Sequence, residues 1–353
     1  MTHIFKLVSV LFLFFLFSFS AASSAAKPAF AQTGNSELKL TSSPLPINLK
    51  VNPGDSVSTD IKIKNDGLNS ENIKVTLMKF KADSETGAPL LLDREPGDTY
   101  FDWVSFSENQ FQLPGNEWKT IAVTINVPAT ASFGYYYAIV FSRADQPIAT
   151  DGQKAVLTGG MATLVLLEAQ VPNAKREVRV TDFSVGKQLF EFLPANFSVK
   201  LRNTGNVHLV PRGNIFITKN DKAVATLDVN PSIGSILPDS PRNFSPAWSD
   251  GFPVFQAKQK DGQAVVDAEG NPETELKWDF KDASKLRFGK YTAKLFLVYD
   301  DGQRDVPIEG EVSFWVVPWR LVIYVLIIII VPALMVYLYM KWRMKKLKRQ
   351  YEK

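Results

Sequence analysis

From position 45 to position 317, apolar and polar residues alternate in short runs separated by Gly, Pro, Asn and Asp. Ile61 and Ile63 fall on one side of such a run and Lys62 and Lys64 on the other, and Asn65-Asp66-Gly67 ends it as a turn. Ile121, Val123, Ile125 and Val127 repeat the pattern over 119–127, where Pro128 stops it. Further strands are predicted at 45–51, 72–79, 155–157 and 162–171, then at 178–185, 199–202, 215–219, 223–229 and 304–317. Short period-2 runs with turn signals and almost no helical periodicity predict antiparallel β-sandwiches.

The two ends break this pattern. Leu321 to Met340 are twenty consecutive uncharged, mostly apolar residues, enough at about 1.5 Å per residue to cross a hydrocarbon core of roughly 30 Å as a helix. Pro332 sits inside the run, where it kinks a membrane helix without ending it. Trp315 and Trp319 precede it, and Tyr337, Tyr339 and Trp342 close it, as interfacial aromatics do. Lys341, Arg343, Lys345, Lys346, Lys348, Arg349 and Lys353 follow, which assigns 341–353 to the cytoplasm by the positive-inside rule. At the other end, Lys6, an apolar run from Leu7 to Phe19 and Ala29-Phe30-Ala31 read as a secretory signal over 1–31, with an uncleaved anchor as the alternative. Either way, the segment between is expected outside the cell membrane, in a single-pass protein.

That exported segment divides by repetition. Ile61-Lys62-Ile63-Lys64-Asn65-Asp66-Gly67 returns as Val199-Lys200-Leu201-Arg202-Asn203-Thr204-Gly205. Leu113-Pro114-Gly115 is paired with Leu237-Pro238-Asp239, and Phe133-Gly134-Tyr135-Tyr136 with Phe288-Gly289-Lys290-Tyr291. Three landmarks in one order predict tandem sandwiches over 32–172 and 173–317, the second with an inserted loop or exposed hairpin near 250–284. The membrane segment is expected at 318–340. No stalk separates the second sandwich from it, so that sandwich is expected on the bilayer surface and the first away from it. With strands of about ten residues near 33 Å long, two sandwiches end to end reach roughly 60–80 Å.

Charge and chemistry narrow the function. The chain has 40 Lys and Arg against 36 Asp and Glu. Setting aside Lys6, Lys27 and the seven tail cations leaves 31 basic residues against 35 acidic ones once Glu352 is excluded, a net charge near −4 for the exported part. The basic excess therefore belongs to the tail, and a nucleic-acid partner is not indicated. There is no cysteine, hence no disulfide or thiolate metal site. His208 is the sole histidine beyond the leader and reads as a strand residue, and no Gly-x-Ser-x-Gly elbow is present. Acidic clusters such as Asp83-Ser84-Glu85 and Asp300-Asp301-Gly302 read as solvated turns, and 261–271 departs from the spacing of a calcium loop. The expectation is a non-enzyme with no catalytic residue, cofactor or metal.

The aromatics of the first sandwich divide between two uses. Trp103 and Phe111 are assigned to its core, and Phe288 and Tyr291 to the matching end of the second. Residues 135 to 137 cannot all point inward on a strand. Tyr100, Trp118 and Tyr136 are the candidates for an exposed platform that stacks on sugar rings.

Leu49-Lys50-Val51-Asn52-Pro53-Gly54-Asp55, the alternating run ending Asn-x-Gly, Trp103-Val104-Ser105, Phe111-Gln112-Leu113-Pro114-Gly115 and Val123-Thr124-Ile125-Asn126-Val127-Pro128 resemble the first domain of the bacterial WxL-interacting protein family. The order of signal, two domains, membrane helix and basic tail is similar as well. The resemblance implies two immunoglobulin-like sandwiches, peptidoglycan or another cell-wall glycan as a ligand of the first, and another cell-surface protein as partner. The alternative is an anchored scaffold or accessory subunit of an envelope or export assembly, with the sandwiches as spacers; an anchored hydrolase is a third class.

Overall fold

Strands of this chain form where one side of an alternating run is buried. In Ser56–Asn65, Ile61 and Ile63 are fully buried while Lys62 is exposed, and in Trp118–Asn126, Ile121, Val123 and Ile125 are buried. The two pair antiparallel, with Ile61 opposite Ile121. The computed structural model describes residues 38–351, apart from 84–85, 147–148, 152–153, 157–158, 261 and 268–269; the secretory signal expected at 1–31 lies outside the described residues. Lys39–Lys353 form one compact unit that holds both sandwiches and the helix.

The first sandwich packs a four-stranded sheet, in the order Leu40–Ser43, Ser56–Asn65, Trp118–Asn126, Val104–Phe106, against a larger one. The larger sheet centres on Glu71–Ala82, Phe133–Arg143 and Gly160–Ala169, and Ile47–Val51 joins its edge in parallel. The inward row of that sheet holds Ile73, Val75, Tyr137, Ile139, Phe141, Val165 and Leu167, aligned across the strands by their register. The second sandwich packs Val178–Val185, Ala195–Asn203 and Pro241–Phe244 against a sheet of Leu189–Phe190, Asp305–Val316, Gly289–Asp300, Arg212–Lys219 and Lys222–Asp228. Its core includes Phe197, Leu201, Ile215, Trp248, Tyr291 and Phe314. The described residues are thus mainly β up to Val316, followed by one apolar helix.

Each Asn-x-Gly landmark is a buried clamp. Asn65 donates through Nδ2 to the carbonyls of Asn69 (2.7 Å) and Leu113 (3.1 Å), and its Oδ1 accepts from the Gly67 amide (2.9 Å). Asn203 does the same to Val207 (2.7 Å), Ile236 (3.0 Å) and Gly205 (2.8 Å). A Cβ at Gly115 would collide with the Leu68 carbonyl and one at Gly205 with that of Lys175, so close backbone approach selects glycine there.

The clamps correct the alignment of the other two landmarks by one residue. Leu113 corresponds to Ile236, and Pro114 to Leu237, because the Glu117 amide donates to Pro114 and the Ser240 amide to Leu237. Asn116 and Asp239 then share a left-handed backbone, at φ 62° and 53°. Likewise Tyr135, not Tyr136, matches Tyr291: each hydroxyl accepts from the amide three residues earlier, Ser132 at 3.0 Å and Phe288 at 3.3 Å. Tyr291 is buried as expected, but Phe288 is 53% exposed. Trp103 is half-buried and packs on Tyr100 and Tyr135, while Phe111 is buried.

The insertion is a small appendage of its own, with Val254–Ala257 paired to Thr274–Lys277 and a short helical turn at Phe280–Lys285. The final helix runs from Trp319 to Tyr351 and includes Pro332, so the basic segment continues the helix instead of leaving it. Trp319–Met344 is long and apolar enough to cross a membrane, and none of it is buried.

Candidate functional site

The structure separates the three aromatics expected to form one platform. Tyr100 is half-buried inside a nest of rings, 4.7 Å from Phe101, 5.5 Å from Tyr135 and 5.3 Å from Tyr137, and its carbonyl accepts from the Tyr137 hydroxyl. Burial, with the charges of Asp98 and Glu95, pushes its phenol above the ordinary value, against the pull of Arg94. Trp118 opens a strand of the opposite sheet, paired with Lys64, and is 52% exposed. Tyr136 does point away from the first core, as strand alternation requires. It meets no solvent-facing platform there, because the second sandwich covers it: its ring stands edge-on to Phe80 at 6.3 Å and to His208 at 5.9 Å, and its hydroxyl is buried. A Cβ at Gly134 would collide with that hydroxyl.

The covered face is the larger feature. Phe133–Arg143 and Gly160–Ala169 are apolar on both sides, and their outer row of Ala138, Val140 and Leu166 joins Met78 and Phe80 around Leu237 of the second sandwich. Glu168, at the end of the same row, is buried and ion-paired with Arg176 of the connecting segment. His208 completes the junction. Burial and then the charges of Lys50 and Arg176 hold its imidazole down at about 4, and its Nδ1 has no hydrogen-bond partner among the described residues.

Beside Leu237 the two sandwiches part to leave a cleft of about 580 Å³. One wall is the outer face of the first sandwich, with Phe80, Leu91, Ala162, Leu164 and Leu166; the other is 232–237 and Arg242. Arg242 stands on Pro241–Phe244, donates through Nη1 to the Ser235 carbonyl at 2.7 Å and lies 5.3 Å over the Phe244 ring. It has no carboxylate partner among the described residues, and burial lowers its affinity for its proton. Gly87, at φ 70°, and Gly234 make room for it, since a Cβ at either would run into its side chain. The Ser235 hydroxyl is buried without a partner among the described residues.

This arrangement can bind, with an apolar wall and one half-buried cation. The carboxylates singled out in the sequence close turns: Asp83 accepts from the Thr86 amide, and Asp301 from the amides of Gln303 and Arg304. Among the described residues no group of His, Asp and Glu could hold a metal ion. Sequence reasoning missed Arg242, Leu164 and Leu166 as site residues. The available signal was the loss of alternation over 136–141 and 164–167, which marks strands buried on both faces.

At the end where the apolar helix begins, Trp315 and Trp319 are 48% and 45% exposed and stand on either side of the strand-to-helix junction. Trp342 is 59% exposed, 6.3 Å from Tyr339.

No family model matches the chain, and no curated protein does. Solved structures are similar to it. One belongs to the CsuC-CsuE chaperone-tip adhesion subunit pre-assembly complex from archaic chaperone-usher Csu pili of Acinetobacter baumannii, at 12% identity and a TM-score of 0.35 over 77% of this chain and 97% of that one. The class 5 fimbriae chaperone CfaA is similar at 13% identity and a TM-score of 0.33, over 77% and 98%. The E. coli chaperone DraB is similar at 12% identity and 0.31, over 78% and 99%.

Proposed function

We propose that the protein is a membrane-anchored binding protein of the bacterial envelope, without catalysis of its own, which takes an apolar segment of a partner surface protein into the cleft between its sandwiches. The cleft carries this reading. Apolar concavities at domain junctions with a few convergent polar groups are the usual form of a binding site. Leu164 and Leu166 offer the apolar wall, and Arg242, a half-buried cation with no carboxylate partner among the described residues, suits an acidic group on the bound segment. Anchoring follows from the helix, with Trp315 and Trp319 at the outer boundary and Trp342 and the basic segment on the cytoplasmic side. The resemblance to WxL-interacting proteins supports a surface protein as partner.

Full-length protein purified in detergent tests this as bait for envelope proteins. A partner retained by the wild type and by Trp118→Ala, and lost with Leu164→Glu and Arg242→Gln, is the expected result. Equal capture by all four would leave the sandwiches as spacers in a scaffold.

A second reading has one observation in its favour. Trp118 alone among the three aromatic candidates presents an open ring, and the resemblance implies a cell-wall glycan or peptidoglycan ligand for this sandwich. Co-sedimentation of the full chain with purified sacculi, weakened by Trp118→Ala and unaffected by Leu164→Glu, is its signature.

A further inference from the structure

The insertion leaves and rejoins the second sandwich at the end where the helix begins. Leu189–Phe190 runs parallel to the last residues of Asp305–Val316, so Glu191 and Phe192 continue toward the helix. The Val317 amide donates to the Phe190 carbonyl at 2.8 Å, and Arg320 of the helix pairs with Glu191 at 3.5 Å. Trp248, where the insertion departs, sits opposite Ala195 at this end, and Gly289, where it returns, sits opposite Val316. Asp250 ties the two legs together through Lys285 at 2.9 Å and Arg287 at 2.7 Å.

What the insertion carries there is aromatic and exposed. Phe192 touches Trp278 with ring centroids 6.4 Å apart, and Trp278 and Phe280 both pack on Phe252, at 5.6 and 5.5 Å. Trp278 is 44% exposed and Phe280 75%. Leu286 and Phe288 are exposed beside them, and Lys187, Lys281 and Lys290 have no acidic partner among the described residues. Large exposed apolar surface marks an interaction site, and Lys281 stands between Asp279 and Asp282 in the turn that carries Phe280. Only two residues separate Val316 from the helix, so the surface adjoining this patch is the one the helix enters.

We propose that the insertion is a second membrane contact: Trp278 and Phe280 enter the headgroup region of the bilayer that the helix crosses, with the lysines facing lipid phosphates. The proposal rests on the helix being a membrane span. Two contacts on one compact unit restrain the tilt of the second sandwich, and through it the direction in which the cleft faces. Tryptophan and phenylalanine partition favourably at this depth, and basic residues beside them add attraction to anionic headgroups.

The absence of cysteine makes site-specific spin labelling direct. Phe280→Cys, Ile328→Cys and Lys62→Cys, each in the full chain, are labelled with a nitroxide and reconstituted into vesicles of phosphatidylcholine and phosphatidylglycerol. Accessibility to oxygen and to a water-soluble nickel chelate reads depth. The label at 280 should be shielded from nickel and open to oxygen, at a depth between those at 328 and 62. A label at 280 that matches 62 while 328 lies in lipid overturns the second contact and leaves the span intact. A water-exposed label at 328 overturns both. Shielding at 280 with spin–spin broadening identifies a second copy of the chain as occupant, and also overturns the proposal. Phe280 is exposed enough for its replacement to leave the fold unchanged.

Discussion

At the scale of single residues, the fold depends on a few buried polar groups and on what each of them meets. Asn65 and Asn203 each satisfy three backbone groups, so Asn65→Ala and Asn203→Ala leave carbonyls without donors in the core. Each substitution should cost about 1–3 kcal/mol or more, read as a lower Tm in thermal melts of the full chain; an unchanged Tm would remove the clamps from the account of stability. His208 behaves differently. Its folded pKa of about 4 lies below the ordinary 6.5, so between these values the unfolded chain binds a proton that the native chain does not. Stability should therefore fall as pH drops from about 6.5 to about 4, by at most roughly 3 kcal/mol. Melts from pH 7.5 to 4 should show this loss, and His208→Gln should flatten it in that window. Both asparagines were visible in the sequence as turn residues. Their clamping role was not, because the carbonyls they serve lie up to 48 positions away.

At the scale of elements, alternation located most strands and loss of alternation located the junction. Ile61 to Lys64 announces one buried face. Tyr136 to Phe141 and Leu164 to Leu167 announce two, but periodicity alone cannot say what covers the second. That is why Tyr136 read as an exposed platform residue and is instead covered by the second sandwich. The repeat was legible in its order and displaced by one residue at two landmarks, since residue type aligned Leu113 with Leu237 whereas hydrogen bonding aligns Pro114 with it. The ion pair that joins the outer face to the connecting segment gives a test at this scale. Arg176→Ala leaves the Glu168 carboxylate buried without a partner, which should cost about 3–5 kcal/mol if the site stays dry. Arg176→Met combined with Glu168→Leu should recover most of that loss. Limited proteolysis of the connecting segment checks it: the single variant should be cut faster than the wild type, the double variant should not.

At the scale of the whole molecule, the apolar helix, the second sandwich, the junction and the first sandwich follow one another in order. The reading of this chain rests on its own cleft and its own apolar helix. The cleft could not be read from the sequence, because Phe80, Leu164 and Arg242 meet only when the two sandwiches pack. A photo-crosslinking amino acid at Leu164 of the full chain in intact cells tests the cleft most directly, with the same group at Trp118 for comparison. A discrete protein adduct from position 164, lost on adding Arg242→Gln and absent from position 118, is the result required by partner binding between the sandwiches. An adduct with cell-wall material from position 118 and none from 164 would contradict it.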